Sequence, residues 1–536
     1  MFKINETGDL PEKTGTAMSM QNFRIASSIK FMTVLITTLV VGFATPPAQA
    51  IDLGGGWKLS GWARAYLSIN LEDVPETEED DAWDPSMNRQ SLFLDLSGPT
   101  GPLRWTGRFR FTNEFLTDYE ERLEDLTANI PGNRADFEEE YEEIDVRELF
   151  FDWPVSDRFA LRIGRQQVVW GETDFFHATD VIHGFDFRWR KFLVPENEDV
   201  RKPLVLVNAT LDFPETGGQL QLILRPGWDK DEWIGNSIPA FGGRWSNSSA
   251  KGFNFVSQEQ GGVAAFNYNH PEGDTDDPHY GFRYSGVFQA GTNEINYALS
   301  YYHGQGGFYQ DPTVILDPLN PVGGNPLQFM FPETDTVGAS LSGYISGIDS
   351  VYRLEVAYTP DRPMSTFNPM PVPELGGALL PFQLLEEDAW NFVVGLDTNL
   401  RLQNTFGTSS PSLLSFQLFD WYIPGIDASD GIFRFDGSGF FEEHTMIATL
   451  ILSNPFMNDR FNFTMVALAD LTEGGGMLIP SIQYDYGRHW RFKMEADLAF
   501  GGGTTATPGG FPPDEATLFG ALRDDNQLLF RITYQF

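Results

Sequence analysis

The last ten residues, Gln527-Leu528-Leu529-Phe530-Arg531-Ile532-Thr533-Tyr534-Gln535-Phe536, carry a large apolar side chain at every second position from 528 to 536. Gln527, Arg531, Thr533 and Gln535 fill the gaps, with Leu529 the one exception. Successive side chains of a strand point to opposite faces, so this stretch has one wholly apolar face and one almost wholly polar face. A strand of this kind that finishes on Phe has the pattern of the closing strand of a bacterial outer-membrane β-barrel, apolar toward lipid and polar toward the bore.

The same alternation recurs upstream, with turn residues between the runs. In 56–71, Trp57, Leu59, Ala63, Ala65, Leu67, Ile69 and Leu71 share one face, and Lys58, Ser60, Arg64, Ser68 and Asn70 the other. In 102–116, Leu103, Trp105, Phe109, Phe111 and Phe115 fall outside, and Arg104, Thr106, Arg108, Arg110, Thr112 and Glu114 inside. Further strands are predicted at 88–97, 144–153, 158–167, 203–213, 219–226, 279–289, 294–303, 337–345, 351–360, 389–401, 412–423, 443–453, 459–470, 476–486, 489–500 and 526–536. Connectors alternate between short and long, as they do where short turns are periplasmic and long loops extracellular. The expected fold is all-β: a transmembrane antiparallel β-barrel of about 18 strands. A hairpin hidden in 252–270 would raise the count to about 20, and the loss of two weak strands would lower it to about 16. A propeller or solenoid would need an internal repeat, and the chain shows none.

Residues 1–50 read as a leader. Arg24 and Lys30 precede an apolar run from Phe31 to Ala44, followed by Pro46, Pro47 and Ala48-Gln49-Ala50. This is the layout of a signal peptide cleaved after Ala50, with translation starting at Met1, Met18 or Met20. The expected division is therefore a signal peptide over 1–50 and the barrel over 51–536. The chain has no cysteine, which excludes a small disulfide-stapled domain. A net charge of −39 excludes a nucleic-acid binder, which needs a basic face. Mean hydropathy is −0.26, and beyond the leader no run is long enough for a spanning helix. Only a barrel puts so polar a chain in a membrane, because alternation hides the lipid-facing half. The expected location is the outer membrane of a Gram-negative bacterium. Aromatic residues at strand ends, such as Trp57, Trp153, Trp170, Trp390, Trp421, Tyr422 and Trp490, are expected in the interfacial girdles.

A barrel this wide is not filled by its own wall side chains. Its inward set includes Arg64, Arg104, Arg108, Arg110, Arg162, Arg225, Arg283, Arg353, Arg401, Arg491 and Arg531, with Glu114, Glu355, Asp397, Asp470, Glu495 and Asp497 among them. Two readings stand side by side: a basic ladder that guides solutes, or ion pairs that stiffen the wall.

The densest segment is 161–190, LRIGRQQVVWGETDFFHATDVIHGFDFRWR. It leaves a predicted strand into an outside loop, 168–202, yet is too apolar for a solvated tip. A loop of this composition is expected to fold back into the barrel and narrow the pore. Asp174, Asp180 and Asp186 would then face Arg162, Arg165, Arg188 and Arg190. A lid packed on itself is the alternative.

Gly164-Arg165-Gln166, followed by Trp170-Gly171-Glu172 after Leu-Arg-Ile, resembles a porin-like family of Gram-negative outer-membrane proteins catalogued as a domain of unknown function, number thirteen-oh-two. The Gly-Arg-Gln element is also similar to that of alginate-export barrels. The resemblance implies a pore for small, hydrophobic or lipid-like molecules and a partnership with RND-type exporters. It marks Arg165, Gln166, Trp170, Gly171 and Glu172 as functional candidates. The chain departs from the family's pattern at His177-Ala178-Thr179-Asp180, where a Gly/Asn-rich stretch is expected.

The resulting expectation is a porin-like channel for small solutes, anionic or hydrophobic and amphipathic, with no catalytic, metal or cofactor site. The pore and constriction candidates are Arg104, Arg108, Arg110, Arg162, Arg165, Gln166, Trp170, Gly171, Glu172, Asp174, Asp180, Arg353 and Arg491. The alternatives are an export or uptake outlet working with an RND-type pump, and a barrel lipid hydrolase using the outward His444. Expected partners are outer-membrane lipids and lipopolysaccharide, the solute, the barrel assembly machinery through Phe536, an RND-type exporter, and sister copies in a homotrimer. The acidic runs 78–81, 138–143 and 274–277 read as solvated loop charge, with cation bridging to lipopolysaccharide as the alternative. His177 and His183 lack the further ligands at defined spacing that zinc requires.

Overall fold

The alternating runs close into one cylinder. The computed structural model describes residues 50–536 except 74–76, 78, 127–135, 174–175, 189–196, 228–234, 238–242, 246–263, 267–277, 292, 306–311, 323, 433, 435–438 and 503–516. The leader lies outside the described residues except for Ala50.

Eighteen antiparallel strands form the wall. They are β1 (Trp57–Asn70), β2 (Pro85–Thr100), β3 (Leu103–Glu114), β4 (Glu143–Pro154), β5 (Phe159–Gln166), β6 (Leu204–Phe213), β7 (Gly218–Arg225), β8 (His279–Ala290), β9 (Asn293–Gly304), β10 (Thr334–Ile345), β11 (Ser350–Thr366), β12 (Gln383–Leu400), β13 (Ser412–Tyr422), β14 (His444–Phe456), β15 (Phe461–Asp470), β16 (Gly476–Tyr486), β17 (Trp490–Phe500) and β18 (Gln527–Gln535). Each pairs with its sequence neighbours, and β18 returns to β1 with Arg531 opposite Tyr66 and Gln527 opposite Asn70. Phe536 continues that seam, exchanging backbone hydrogen bonds with Gly61 at 3.0 Å each way. A short strand, Ile51–Gly54, folds back on the base of β1.

The two faces differ as the alternation requires. Leu222, Phe282, Val337, Leu354, Phe416, Leu450 and Ile532 are exposed on the outside. Water would penalise such a band; lipid does not. A closed antiparallel cylinder with this skin is a membrane-spanning barrel of the Gram-negative outer membrane. Trp390 against Tyr358 and Trp490 against Tyr534 pair across neighbouring strands near the ends of the band.

The interior is less polar than alternation suggests. Inward Ile447, Leu468, Met477, Ile479 and Ala499 form one buried cluster with Trp245, Ile432, Phe441, Phe519 and Leu522 from outside loops. The loops thus fold back onto the wall of β14–β17 and bury an apolar strip there. Two aromatic assignments change for this reason: Trp170 and Trp421 lie in interior clusters, not in a girdle. The stretch Ala264–Phe266 pairs in parallel with Leu327–Met330, in a small sheet apart from the wall, and β7 pairs directly with β8; the rest of 252–270 lies outside the described residues. Arg401 sits in the turn after β12 and is exposed, not on the inner face.

Candidate functional site: a segment across the lumen

After Gln166 the chain leaves the wall and turns inward. Gly164 starts this departure. Its φ is +130°, and a Cβ there would lie 2.2 Å from the Leu149 carbonyl oxygen, so only glycine fits. Gln166 is fully buried and donates to the Leu206 carbonyl at 3.0 Å. Its amide oxygen accepts from Asn208, whose own oxygen accepts from Gln221 at 3.1 Å. Gln221 in turn accepts the Trp170 indole N–H at 2.8 Å. The Trp170 ring meets Tyr302 of β9 edge-on. Gln166 and Trp170 therefore anchor the segment to β6, β7 and β9.

The far end reaches the opposite part of the wall. Glu355, inward on β11, accepts from the Glu172 amide (2.6 Å), the Thr179 amide (3.0 Å) and the Thr179 hydroxyl (2.7 Å). Gly171 permits this approach, since a Cβ there would come within 3.0 Å of the Asp180 Cβ. Phe176 packs edge-on against Phe419 at 5.2 Å and Trp421 at 5.5 Å, both inward on β13. Ala178 joins Ala357, Val393 and Phe419 in a buried cluster. The segment thus starts at β5 and touches β13, almost half-way round the cylinder.

The return limb is tied by charge. Asp180 pairs with Arg201 at 2.6 Å, both deeply buried. Burial opposes ionisation of Asp180, but Arg201 outweighs it and holds the carboxyl below its usual range. Asp186 accepts two bonds from Arg188, whose other arm reaches Glu140 at 2.6 Å. Despite burial, Arg188 brings the Asp186 carboxyl down to about 2. His183 receives the Val168 amide at Nε2 (2.9 Å) and places Nδ1 2.8 Å from the Lys202 carbonyl. That arrangement fixes the neutral tautomer with its proton on Nδ1. Burial pushes His183 down to about 3 and His177, stacked on Phe185, down to about 4.

The wall arginines are mostly engaged. Arg64 pairs with Asp199 at 2.8 Å, and Arg110 binds Glu143 at 2.8 Å and the Asp199 carbonyl at 2.6 Å. Arg147 reaches the Arg201 carbonyl. These contacts hold the return limb against β1, β3 and β4. Arg108 bridges Asp95 and Glu148, Arg162 pairs with Asp152, and Arg353 with Asp397. Among the described residues Arg283 has no hydrogen-bond or ion-pair partner; Glu172 and Glu355 are the carboxylates that act on its charge. Arg104 and Arg491 are exposed near the periplasmic ends of β3 and β17.

The sequence-predicted set is therefore partly gathered. Gln166, Trp170, Gly171, Glu172 and Asp180 meet in the segment. Arg162 pairs with Asp152 on the wall, and Arg165 comes within 3.9 Å of Asp145. Asp174 and Arg190 lie outside the described residues. Sequence pattern does not single out Thr179, His183, Arg201 and Gln221 as holding the segment, because their partners are remote in the chain. In the acidic runs Asp81 binds Arg122, and Glu140 and Glu143 bind arginines; 274–277 lies outside the described residues. His444 faces outward at the rim, stacked on Tyr422 and 2.8 Å from the Asp420 carboxylate.

The sequence profile of the family described as protein of unknown function (DUF1302) matches residues 112–536, which include the whole crossing segment. This chain belongs to that family. A comparison with curated protein sequences gives no match. Among solved structures the DUF1302 chain is similar to OpdK of Pseudomonas aeruginosa, solved with vanillate, at 9% identity over 90% of this chain and 98% of that one, with a TM-score of 0.41. It is also similar to OccAB4 of Acinetobacter baumannii, at 8% identity over 92% and 99% of the two chains, with a TM-score of 0.41. A third is the outer-membrane channel DcaP of Acinetobacter baumannii, at 9% identity over 91% and 99%, with a TM-score of 0.37.

Proposed function

We propose that this DUF1302 barrel is an outer-membrane channel for small amphipathic solutes, with the segment from Val168 to Arg188 as its constriction. The observation that carries this reading is the crossing of the bore: Trp170 is fixed to β7 and Thr179 to β11, and Phe176 rests on β13. A lid packed on itself would not make these inward contacts.

The inner wall supports the solute class. Arg64 lies over the Trp62 ring at 3.8 Å, and Trp62 stacks on Phe93 at 5.4 Å. Arg162 lies over Phe150 at 4.2 Å. Aromatic faces backed by guanidinium groups suit a solute with an apolar body and an anionic or polar end. Arg283, without an ion-pair partner among the described residues and within reach of the Glu172 and Glu355 charges, adds a positive charge to the proposed constriction.

Planar-bilayer recording tests the reading. The purified barrel should conduct, and replacing residues 172–186 by a short Gly/Ser linker should raise unitary conductance severalfold. Unchanged conductance would show that the segment does not restrict the pore.

A further inference from the structure

Among the described residues the β-ladder is incomplete beside the root of the segment. Strands β5 and β7 have 8 residues each, while the flanking β4 and β8 have 12 each. A spanning strand needs about 9–11 residues. At about 3.4 Å per residue and a tilt of about 40°, a strand of this length climbs roughly 21 Å, short of the roughly 25 Å apolar band. Strand β4 climbs further. Its upper part, Glu143–Glu148, pairs with β3, but the β4–β5 ladder stops at Leu149 opposite Arg165.

Two irregularities sit where the ladder stops. Strand β4 shifts register at Arg147–Glu148, and Gly164, opposite Phe150 one pair below the last rung, has positive φ. Beyond Gln166 the chain keeps the in–out alternation, with no ladder bonds among the described residues. Val168 and Trp170 are buried, while Val169 is 50% exposed. Side chains stand in for a neighbouring strand: the Gln167 amide donates to Glu148 at 2.9 Å and the Val168 amide to His183 at 2.9 Å. On the outer surface Ile144, 75% exposed, and Leu149 flank the gap. Behind it lies the apolar cluster of Trp170, Ile182, Leu204, Leu206 and Ile223.

We propose that this seam between β4 and β6 is a side port, through which a single-chain amphiphile with an anionic head passes between the bore and the outer leaflet when the segment's root moves aside. The port rests on the channel reading above and adds a second exit to it. The chemistry fits in layers. Arg165 and the Gln167–Arg201 pair offer polar contacts for a head group, and the cluster behind them offers an apolar path for a chain. A seam held by side-chain acceptors opens without tearing a β-ladder, whose buried amides would otherwise lose their partners.

The test uses the absence of native cysteine. Ile144→Cys, on the exposed outer face of β4 beside the gap and outside the constricting segment, is labelled after folding with a bulky polar maleimide. Proteoliposomes are then assayed for KCl conductance and for entry of a fluorescent dodecyl sulfonate that protein-free vesicles exclude. The expected result is severalfold slower amphiphile entry with unchanged conductance. Asp180→Asn and His183→Gln, which loosen the root, should speed amphiphile entry. If labelling leaves amphiphile entry unchanged, or lowers conductance by the same factor, the side port is overturned. If the unlabelled barrel neither conducts nor admits the amphiphile, it is the channel reading that fails.

Discussion

Glu355 on β11 receives both the backbone N–H and the hydroxyl of Thr179, a residue 176 positions earlier in the chain. One carboxylate therefore holds the far end of a segment whose root leaves the wall at β5. Hydrogen bonds to a charged group contribute about 1.5–3 kcal/mol each, so removing this acceptor weakens the far contact without touching the wall ladder. Glu355→Ala should raise mean conductance and open-channel noise while leaving heat resistance of the barrel on gels unchanged. Glu355→Gln, which keeps one acceptor oxygen, should fall between. Conductance of Glu355→Ala equal to wild type would show that the tether is not what positions the segment.

The same contact can be locked. A Cβ built at Gly338 lies 3.7 Å from the Thr179 Cβ, within the spacing a disulfide spans. The Ser300 hydroxyl, 2.5 Å from that Cβ, is removed by Ser300→Ala. The triple variant Thr179→Cys, Gly338→Cys, Ser300→Ala should cross-link spontaneously, seen as a thiol titre near zero. When oxidised it should show quiet, low conductance that rises on reduction. A titre of two free thiols would place the segment elsewhere in the bore.

Much of this architecture is readable before any coordinates, and particular residues show why. Strand pairing is local: β2 and β3, or β16 and β17, are joined by tight turns, so period-two alternation and turn residues suffice to place them. The inward face of Arg108 and Arg110 follows from the same parity. What parity does not carry is the partner. Arg110 binds Asp199, and Glu355 binds Thr179, across loops whose path depends on tertiary packing. The apolar composition of 168–187 predicts that it turns inward, but not that Phe176 ends on Trp421. The apolar interior at Ile447 and Ile479 is hidden for a related reason. Alternation marks a face as inward, and only the loops folded onto it decide whether that face is wet.

Acid should release the segment. His183 and His177 are held neutral by burial, near 3 and 4, below the ordinary histidine value. A released segment would take up protons near the ordinary value of about 6.5 while the docked one would not. Docking therefore loses stability as pH falls from about 6.5 toward 4 and is least affected above that range. Burial also opposes ionisation of Asp180 and Asp186, but their arginines outweigh it, so these carboxylates stay charged through the same window. Conductance should rise as pH is lowered from 7 to about 4, and His183→Gln, with one titrating group fewer, should flatten the rise. A flat profile in the wild type would mean that the ring stays buried when the channel opens.

Gly164 and Gly101 separate two uses of glycine in one barrel. Gly101, at φ +61° in the β2–β3 turn, has open space where a Cβ would stand, so Gly101→Ala costs only the left-handed penalty, about 1–2 kcal/mol. Gly164, at φ +130°, has the Leu149 carbonyl oxygen 2.2 Å from where its Cβ would stand, and Phe150 Cα at 2.8 Å. Both are backbone atoms that cannot rotate away, so Gly164→Ala must separate β5 from β4 where their ladder is already short. The expected cost is more than about 3 kcal/mol, enough to lower the yield of heat-modifiable folded barrel sharply, against little change for Gly101→Ala. Equal yields of the two variants would show that the β4–β5 junction yields easily, and the close approach at Gly164 would then not be what directs the chain out of the wall and into the bore.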